Sequence, residues 1–188
     1  MAAYSAVSFG HANPVLLRAL TEQAGLLAVT SRAFHTDRLG PFLARICEVT
    51  GLDQALPMNT GAEAVETAIK AARKWGYKVK GVPRDQAKII VCNGNFAGRT
   101  TTLAEITDKP AFREGLPLRG VALHVPFFDP RARDPVAKTL AALDAEIARH
   151  PGQIAAMLFE LVQGEGGIRP APREFFVELM KVCNATGV

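Results

Sequence analysis

Three short apolar runs constrain the fold of this chain more than any other feature. They are KIIVCN, VALHVPF and IAAMLFEL, at residues 88–93, 121–127 and 154–161. Continuous apolar runs of this length are typical of strands that are buried on both faces, as in parallel sheets. Because segments with helical periodicity alternate with them, the pattern predicts an α/β fold with a mainly parallel sheet flanked by helices.

The remaining segments are predicted from periodicity and from residues that start or end helices. Helices are expected after Pro14, from Thr36 to Val49, from Gly61 to about Lys78, from Asp134 to about His150, and from Pro172 towards Ala185. The short apolar run 54–58 predicts a further strand. Residues 94–120 and 162–172 are rich in Gly and are predicted to be irregular.

Composition excludes several classes of protein. The chain has 188 residues, of which 48% are hydrophobic, and a net charge of +4 without a basic run, so a nucleic-acid partner is not expected. It has no apolar stretch of 18 residues, which argues against a membrane partner. The N-terminus lacks the basic start of a secretory signal, so a cytoplasmic location is expected. Cys47, Cys92 and Cys183 form no CxxC motif, so we expect reduced thiols and no zinc site.

The segment Asn59-Thr60-Gly61-Ala62-Glu63 lies at the start of the helix with the clearest signals. Thr60 and Glu63 have the spacing of a capping box, and this structural interpretation is sufficient by itself. The same geometry also permits a functional one, because free backbone amides at a helix N-terminus bind phosphate.

Two more loops follow predicted strands, where open α/β sheets bind ligands. In NGNFAGRT, residues 93–100, Phe96 and Arg99 are suited to stack on a ring and to bind a carboxylate. In ELVQGEGG, residues 160–167, Glu160 and Glu165 place two carboxylates in a glycine-rich loop. For each loop, a solvated turn remains the alternative.

Taken together, these motifs resemble class III pyridoxal-phosphate aminotransferases of fold type I. The similar segments are AYSAVSFGHANP, TSRAF, LPMNTGAEAVETAIKAARKWGYKVKG, NGNFAGRT and FELVQGEGGI, and they cover nearly the whole chain in the family's order. Within that family, the similarity is greatest to members that act on ornithine. The resemblance implies that residues 1–50 are the N-terminal helical segment and that residues 51–188 are an incomplete large domain that binds pyridoxal 5'-phosphate.

The resemblance also assigns roles to the cofactor side of the site. It implies that the backbone of Gly61 and Ala62, together with Thr60, binds the cofactor phosphate. It implies that Phe96 stacks on the pyridine ring and that Glu160 lies close to the cofactor and its hydrogen-bond network.

On the substrate side, the resemblance implies a switch of charge. Arg99 would bind a carboxylate of 2-oxoglutarate, and Glu165 would pair with Arg99 when ornithine binds, so that one pocket accepts two substrates. Tyr4 would help to select ornithine.

The family needs a lysine that binds the cofactor covalently. None of the eight lysines of this chain has the matching sequence context. We therefore expect the chain to be the N-terminal to central part of such an enzyme and to be inactive alone. The resemblance implies a homodimer of the full enzyme, or association with a chain that supplies the C-terminal half. The alternatives are another class III ω-aminotransferase, acting on acetylornithine, 4-aminobutyrate or lysine, and a non-catalytic truncated or split-gene product.

Overall fold

The computed structural model describes residues 3–31 and 33–188. The chain divides into two compact units, an N-terminal unit that ends at Leu56 and a C-terminal unit, Pro57–Val188.

The N-terminal unit contains two helices, α1 (Pro14–Leu26) and α2 (Leu39–Thr50). Asn13 caps α1, since its side-chain oxygen accepts from the amides of Val15 and Leu16. The second helix starts three residues later than predicted, because the hydroxyl of Thr36 accepts from the amide of Leu39 and so belongs to the preceding turn. Within residues 3–31 and 33–56, no side chain is buried.

The predicted strand at 54–58 is wrong, since this segment forms no regular secondary structure. A strand requires a hydrogen-bonded neighbour, and among the described residues this segment has none. Leu56 remains 71% exposed. An apolar run of five residues therefore did not suffice to specify a strand here.

The C-terminal unit is built on a parallel sheet, which confirms the α/β prediction. Its strands are β1 (Lys88–Cys92), β2 (Ala122–Val125) and β3 (Ile154–Leu158), in the order β2–β1–β3. Ile90 pairs with Leu123 on one side and with Met157 on the other. All three strands lie within the predicted runs, and each ends earlier than its run does.

The central strand β1 is buried on both faces, as its unbroken apolar sequence predicts. Ile89 and Val91 belong to one hydrophobic cluster, and Ile90 and Cys92 to a second. The first cluster includes Ile69 from α3 (Gly61–Trp75). The second is completed by three side chains from α6 (Pro135–Arg149) and α7 (Arg173–Thr186), which are Leu143, Phe175 and Leu179. Helices therefore cover both faces of the sheet.

Helix α3 ends differently from the prediction. Its α-helical part stops at Trp75 and continues as a π-helical turn, Gly76–Lys80, before Gly81 ends it with φ 78°. A Cβ on Gly76 would lie 3.0 Å from the Cβ of Ala155, so the close approach of this turn to the start of β3 favours glycine.

The region 94–120, predicted to be irregular, contains two short helices, α4 (Thr101–Ile106) and α5 (Pro110–Arg113). Both have start signals: the Thr100 hydroxyl accepts from the amide of Leu103, and Pro110 occupies the first turn of α5. In the glycine-rich segment, β4 (Val162–Gln163) and β5 (Arg169–Pro170) form a two-residue antiparallel ladder. No helix in the described part of the chain is long and apolar enough to cross a membrane.

Candidate active site

The candidate site lies where β1 and β3 end. The two strands are parallel neighbours, so the loops that follow them leave the sheet at the same edge. The loop after β1 carries Phe96 and Arg99, and the loop after β3 carries Glu160 and Glu165. This is the edge at which open α/β sheets bind ligands.

The N-terminus of α3 forms a seat for an anion. Thr60 Oγ1 accepts from the amide of Glu63 at 3.0 Å, and the Glu63 carboxylate accepts in return from the amide of Thr60 at 3.2 Å. This capping box confirms the structural interpretation of the motif. It leaves the amides of Gly61 and Ala62 without an acceptor among the described residues, so capping and anion binding use different amides. A Cβ on Gly61 would meet nothing within 4 Å, and the space in front of this turn is open.

A groove of about 590 Å³ joins this seat to the loop after β1. One wall is the first turn of α3 and the other is the segment 96–100. Its lining residues are Gly61, Ala62, Val65, Phe96, Ala97, Gly98, Arg99 and Thr100. Two of the three predicted motifs therefore meet in one concave surface.

The loop after β1 is held in place by the segment that follows α4. Thr107 is fully buried, and its hydroxyl accepts from the amide of Ala97 at 3.0 Å and donates to the carbonyl of Gly98 at 2.8 Å. The carboxylate of Asp108 accepts from the amide of Gly94 at 2.7 Å, while its own amide donates to the backbone and side-chain oxygens of Asn95. These bonds, which are buried or part-buried, fix the backbone on either side of Phe96.

The loop after β3 is attached to the same segment. One oxygen of the Glu160 carboxylate accepts from the amide of Phe96 at 2.9 Å, and the other accepts from the amide of Gly164 at 3.2 Å. The side chain of Gln163 donates to the carbonyl of Asn93 at 2.8 Å. Gly166 approaches still closer, because a Cβ at this position would lie 2.4 Å from the carbonyl oxygen of Gly94. The two loops therefore form one hydrogen-bonded layer.

Charged side chains gather around one aromatic ring at this edge. Phe112 of α5 packs edge-on against Phe96, with ring centroids 6.3 Å apart. The guanidinium of Arg99 lies 5.9 Å from the centroid of Phe112 and the ammonium of Lys109 lies 5.6 Å from it, both within the range of a cation–π contact. Lys109 also donates to the carboxylate of Glu165.

The structure brings most of the predicted site residues together. Gly61, Ala62, Phe96 and Arg99 line the groove, and the Thr60 side chain caps the helix beside it. Glu160 holds the two loops together through the bonds described above. These positions agree with the roles that the resemblance assigns, and the roles themselves remain predictions.

Two expected features have a different place. Glu165 is paired with Lys109, and among the described residues no ion pair joins it to Arg99, so the exchange expected on ornithine binding stays a prediction. Tyr4 lies in the N-terminal unit with its side chain fully exposed. Its role in substrate selection also stays a prediction.

Lys109 and Phe112 were not predicted as residues of the site, because residues 94–120 were predicted to be irregular. A signal was present: Pro110 marks the first turn of a helix, and this turn places a cation and an aromatic side chain three residues apart. Recognition of that turn would have predicted that the two side chains share a face.

One thiol, that of Cys92, lies beside the site. Cys92 is fully buried at the end of β1, and burial, together with the negative charge of Glu160, raises the pKa of its thiol to about 12. Burial likewise raises the pKa of Cys183. All three cysteines are free, as expected, and a protonated buried thiol is a poor nucleophile.

Comparison with known proteins places this site in a family. The family model for class III aminotransferases matches residues 1–188, so the chain belongs to the class III aminotransferases. Its α/β fold, with a parallel sheet between helices, is accordingly that of pyridoxal-phosphate-dependent transferases of fold type I. The family and the fold class predicted from the sequence are confirmed.

Comparison with individual proteins shows which class III aminotransferases this chain is similar to. An ornithine aminotransferase from Halalkalibacterium halodurans is 45% identical over the whole chain, which spans 44% of that protein. A crystal structure of the ornithine aminotransferase from Toxoplasma gondii, described with partial occupancy of PLP at its active site, superimposes with a TM-score of 0.87 at 34% identity, covering 100% of this chain and 42% of the other. The crystal structure of the acetylornithine aminotransferase from Elizabethkingia anophelis superimposes with a TM-score of 0.76 at 42% identity, covering 100% of this chain and 43% of the other. The chain thus spans less than half the length of the relatives it matches.

Proposed function

We propose that the protein carrying this chain is an ornithine δ-aminotransferase, which transfers the δ-amino group of L-ornithine to a 2-oxo acid and so forms glutamate 5-semialdehyde and an L-amino acid. One observation carries the proposal: the groove joins a helix N-terminus with two free amides to a loop that presents an aromatic ring and an arginine. The similarity to ornithine aminotransferases over the whole chain supports the choice of donor.

The residues of the groove fit pyridoxal 5'-phosphate. The amides of Gly61 and Ala62 would bind its phosphate, and the ring of Phe96, 36% exposed at the groove, would stack on its pyridine ring. When bound, the cofactor supplies two groups: an aldehyde, which takes up an amino group, and a ring, which withdraws electrons. The chain itself contributes the phosphate seat, the stacking surface and the charges that orient the substrate.

Arg99 is suited to orient a substrate. Its guanidinium lies over Phe112 and makes no ion pair among the described residues, so it is available to bind a carboxylate in two parallel hydrogen bonds. A 2-oxo dicarboxylic acid such as 2-oxoglutarate offers this group at the end remote from the reacting carbon. Glu165 would offset the charge of Arg99 when the donor lacks a second carboxylate.

The covalent lysine of the reaction is a further part of the proposal. In the part of the chain that the structure describes, no lysine lines the groove. Since the chain spans 44% of its relatives, we infer that this lysine lies outside the 188 residues and that the chain alone does not transaminate.

Replacement of Phe96 by Ala tests the cofactor assignment. Loss of the stacking surface should weaken binding of pyridoxal phosphate about tenfold, measured by titration with absorbance detection on the native protein. Met180→Ala, at a side chain of α7 that is 45% exposed, serves as the control and should bind as the wild type does. Unchanged affinity in Phe96→Ala would contradict the proposed stacking.

A second donor has specific support, because an acetylornithine aminotransferase is 42% identical to this chain. Assays of the native protein with ornithine, acetylornithine and 4-aminobutyrate at matched 2-oxoglutarate separate the candidates. Highest kcat/KM with ornithine is expected. A higher kcat/KM with either other donor would leave the family assignment unchanged and would identify that donor, instead of ornithine, as the substrate.

The location and the assembly are inferred in the same way. Buried free thiols suit a reducing compartment such as the cytoplasm. Apolar side chains exposed on α1 and α2, among them Leu16, Leu20 and Phe42, suit association, either in a homodimer or with a chain that supplies the C-terminal half. Light scattering of the native protein, together with its intact mass, distinguishes a monomer from these assemblies.

A further inference from the structure

We propose that Glu66 and Thr100 are positioning residues, which set the separation between the two walls of the groove and so the length of the ligand that the groove accepts. The inference rests on the proposed function, because that function gives the groove a ligand with a phosphate at one end and an aromatic ring at the other. It adds to that function a pair of side chains that act on the ligand through the walls.

One hydrogen bond joins the two walls directly. The hydroxyl of Thr100 donates to the carboxylate of Glu66 at 2.5 Å. Among the described residues, no other hydrogen bond connects α3 with the segment 96–100. A hydroxyl that donates to a carboxylate makes one of the stronger hydrogen bonds in proteins, so this single contact is suited to hold the walls together.

Both partners of this bond have fixed positions. The hydroxyl of Thr100 accepts from the amide of Leu103 at the start of α4, so its own proton is directed elsewhere, and Glu66 is the acceptor that it meets. Glu66 lies four residues after Ala62 and so on the same face of α3 as the anion seat, about 5.4 Å further along the helix. It is half-buried and makes no ion pair among the described residues.

Beneath this bond the two walls are in apolar contact. Ala62 on one wall and Ala97 on the other pack against the same buried cluster, which includes Leu103. A Cβ on Gly98 would lie 2.6 Å from Cδ1 of Leu103 and 3.6 Å from the Cβ of Ala62, so the second wall approaches the first turn of α3 closely. Apolar contact is not directional, whereas a hydrogen bond has a preferred length and angle and therefore favours one separation.

The consequence concerns ligands that span both walls. The amides of Gly61 and Ala62 bind an anion on one wall, and Phe96 offers a stacking surface on the other. A ligand that holds its phosphate and its ring at a fixed distance gains from both walls only when their separation matches that distance. Loss of the bond therefore weakens binding of a ligand that spans the groove and leaves binding of an anion at the seat alone unchanged.

The test compares two ligands on the native protein, freed of any bound cofactor. The first, deoxypyridoxine 5'-phosphate, has the phosphate and the ring but no aldehyde, so calorimetry measures its binding without a covalent step or turnover. The second, inorganic phosphate, needs only the seat, and its affinity follows from displacement of the first ligand.

Glu66→Ala removes the acceptor and leaves the cap of α4 in place. We expect it to weaken binding of deoxypyridoxine phosphate about three- to tenfold and to change the affinity for inorganic phosphate by less than about twofold. Thr100→Val should give the same pattern, and Thr100→Ser, which keeps the hydroxyl, should bind as the wild type does. In the Glu66→Ala background, Thr100→Val should cause no further loss, because the bond is already broken.

Thr101→Val is the matched control. It makes the same substitution at the neighbouring threonine, which is exposed and whose hydroxyl makes no hydrogen bond among the described residues. This variant should bind both ligands as the wild type does. A loss in Thr101→Val equal to that in Thr100→Val would assign the effect to α4 as a whole and would contradict the proposal.

Four further results would overturn the proposal. These are an unchanged affinity for deoxypyridoxine phosphate in Glu66→Ala, an equal loss for both ligands, an additional loss from Thr100→Val in the Glu66→Ala background, and no binding of the first ligand by the wild type. The failure of the proposed function looks different: both ligands would bind and respond as expected, and the native protein would transaminate no donor.

Discussion

The two units of this chain show how differently local and non-local signals act. Helices α1 and α2 of the N-terminal unit have clear ends, an Asn13 cap and a Gly51 stop, and yet no described side chain of this unit is buried. In the C-terminal unit, Leu143, Phe175 and Leu179 are fully buried. Caps and periodicity define helices in both units, whereas a dry core exists only where the helices meet the sheet.

The same comparison explains where a site can be built. The loops after β1 and β3 start from adjacent strands, so their first residues have fixed positions and hydrogen bonds can connect the two loops. The N-terminal unit offers no such frame within itself. Precise placement of functional groups depends on rigid elements beneath them.

The contrast between the two units predicts that a Leu→Ala substitution changes the free energy of unfolding by different amounts in each. Equal changes would contradict it. Leu179→Ala in α7 removes a fully buried side chain and should lower the free energy of unfolding by about 3 kcal/mol. Leu52→Ala, just after α2, removes a side chain that is 65% exposed and should change it by less than about 0.5 kcal/mol. Denaturant unfolding followed by the fluorescence of Trp75, the only tryptophan, reports on the C-terminal unit, and circular dichroism at 222 nm reports on both.

A smaller effect is expected from the contact between the loops. Gly166→Ala forces a methyl group to within 2.4 Å of the Gly94 carbonyl unless the backbone shifts, and should lower the free energy of unfolding by about 2 kcal/mol. Gly164→Ala, in the same loop, meets nothing within 4 Å and is the matched control. Equal unfolding midpoints for the two variants would show that the loops are not in close contact.

The smallest expected effect is the contribution of the buried Cys92 thiol to the pH dependence of stability. In the unfolded chain the thiol ionises near its ordinary pKa of 9.0, whereas in the folded protein burial raises its pKa to about 12. The contribution of this thiol to the free energy of unfolding is therefore fully present below pH 9. It falls between pH 9 and 12, because the thiol loses its proton in the unfolded state before it does so in the folded state. This thiol should account for a loss of about 1.4 kcal/mol between pH 7 and pH 10.

The measurement is the difference between wild type and Cys92→Ala in unfolding free energy at several pH values. The variant should lose less stability on the alkaline side. Parallel curves from pH 7 to pH 10 would show that the end of β1 is accessible to water, and the contrast between the units would be smaller than described.

Much of the fold was predictable because its signals are local. Pro14, Thr60 and Asp134 mark helix starts within one residue of the observed positions, and the unbroken apolar runs predict the buried strands. The segment 54–58 was predicted wrongly, because an apolar run cannot show whether a neighbouring strand exists. The short helices α4 and α5 were missed, because they are too brief to show periodicity.

For the site, the sequence predicted the residues better than their contacts. Phe96 and Arg99 stand in a loop whose position after a strand is readable, and the resemblance to a family gave them roles. The contact of Glu165 with Lys109 joins residues 56 positions apart. It depends on how the Thr107 and Asp108 bonds orient the chain, which no local pattern contains.

The hydrogen bonds of the Glu160 carboxylate also have a thermodynamic consequence. Since one side chain holds both loops through the amides of Phe96 and Gly164, the wall of the groove formed by residues 96–100 is ordered before any ligand arrives. A ligand that enters loses its own translational freedom but does not have to order the loops, so less conformational entropy opposes binding. Its affinity is not reduced by the fraction of time that a mobile loop would spend in an incompetent state.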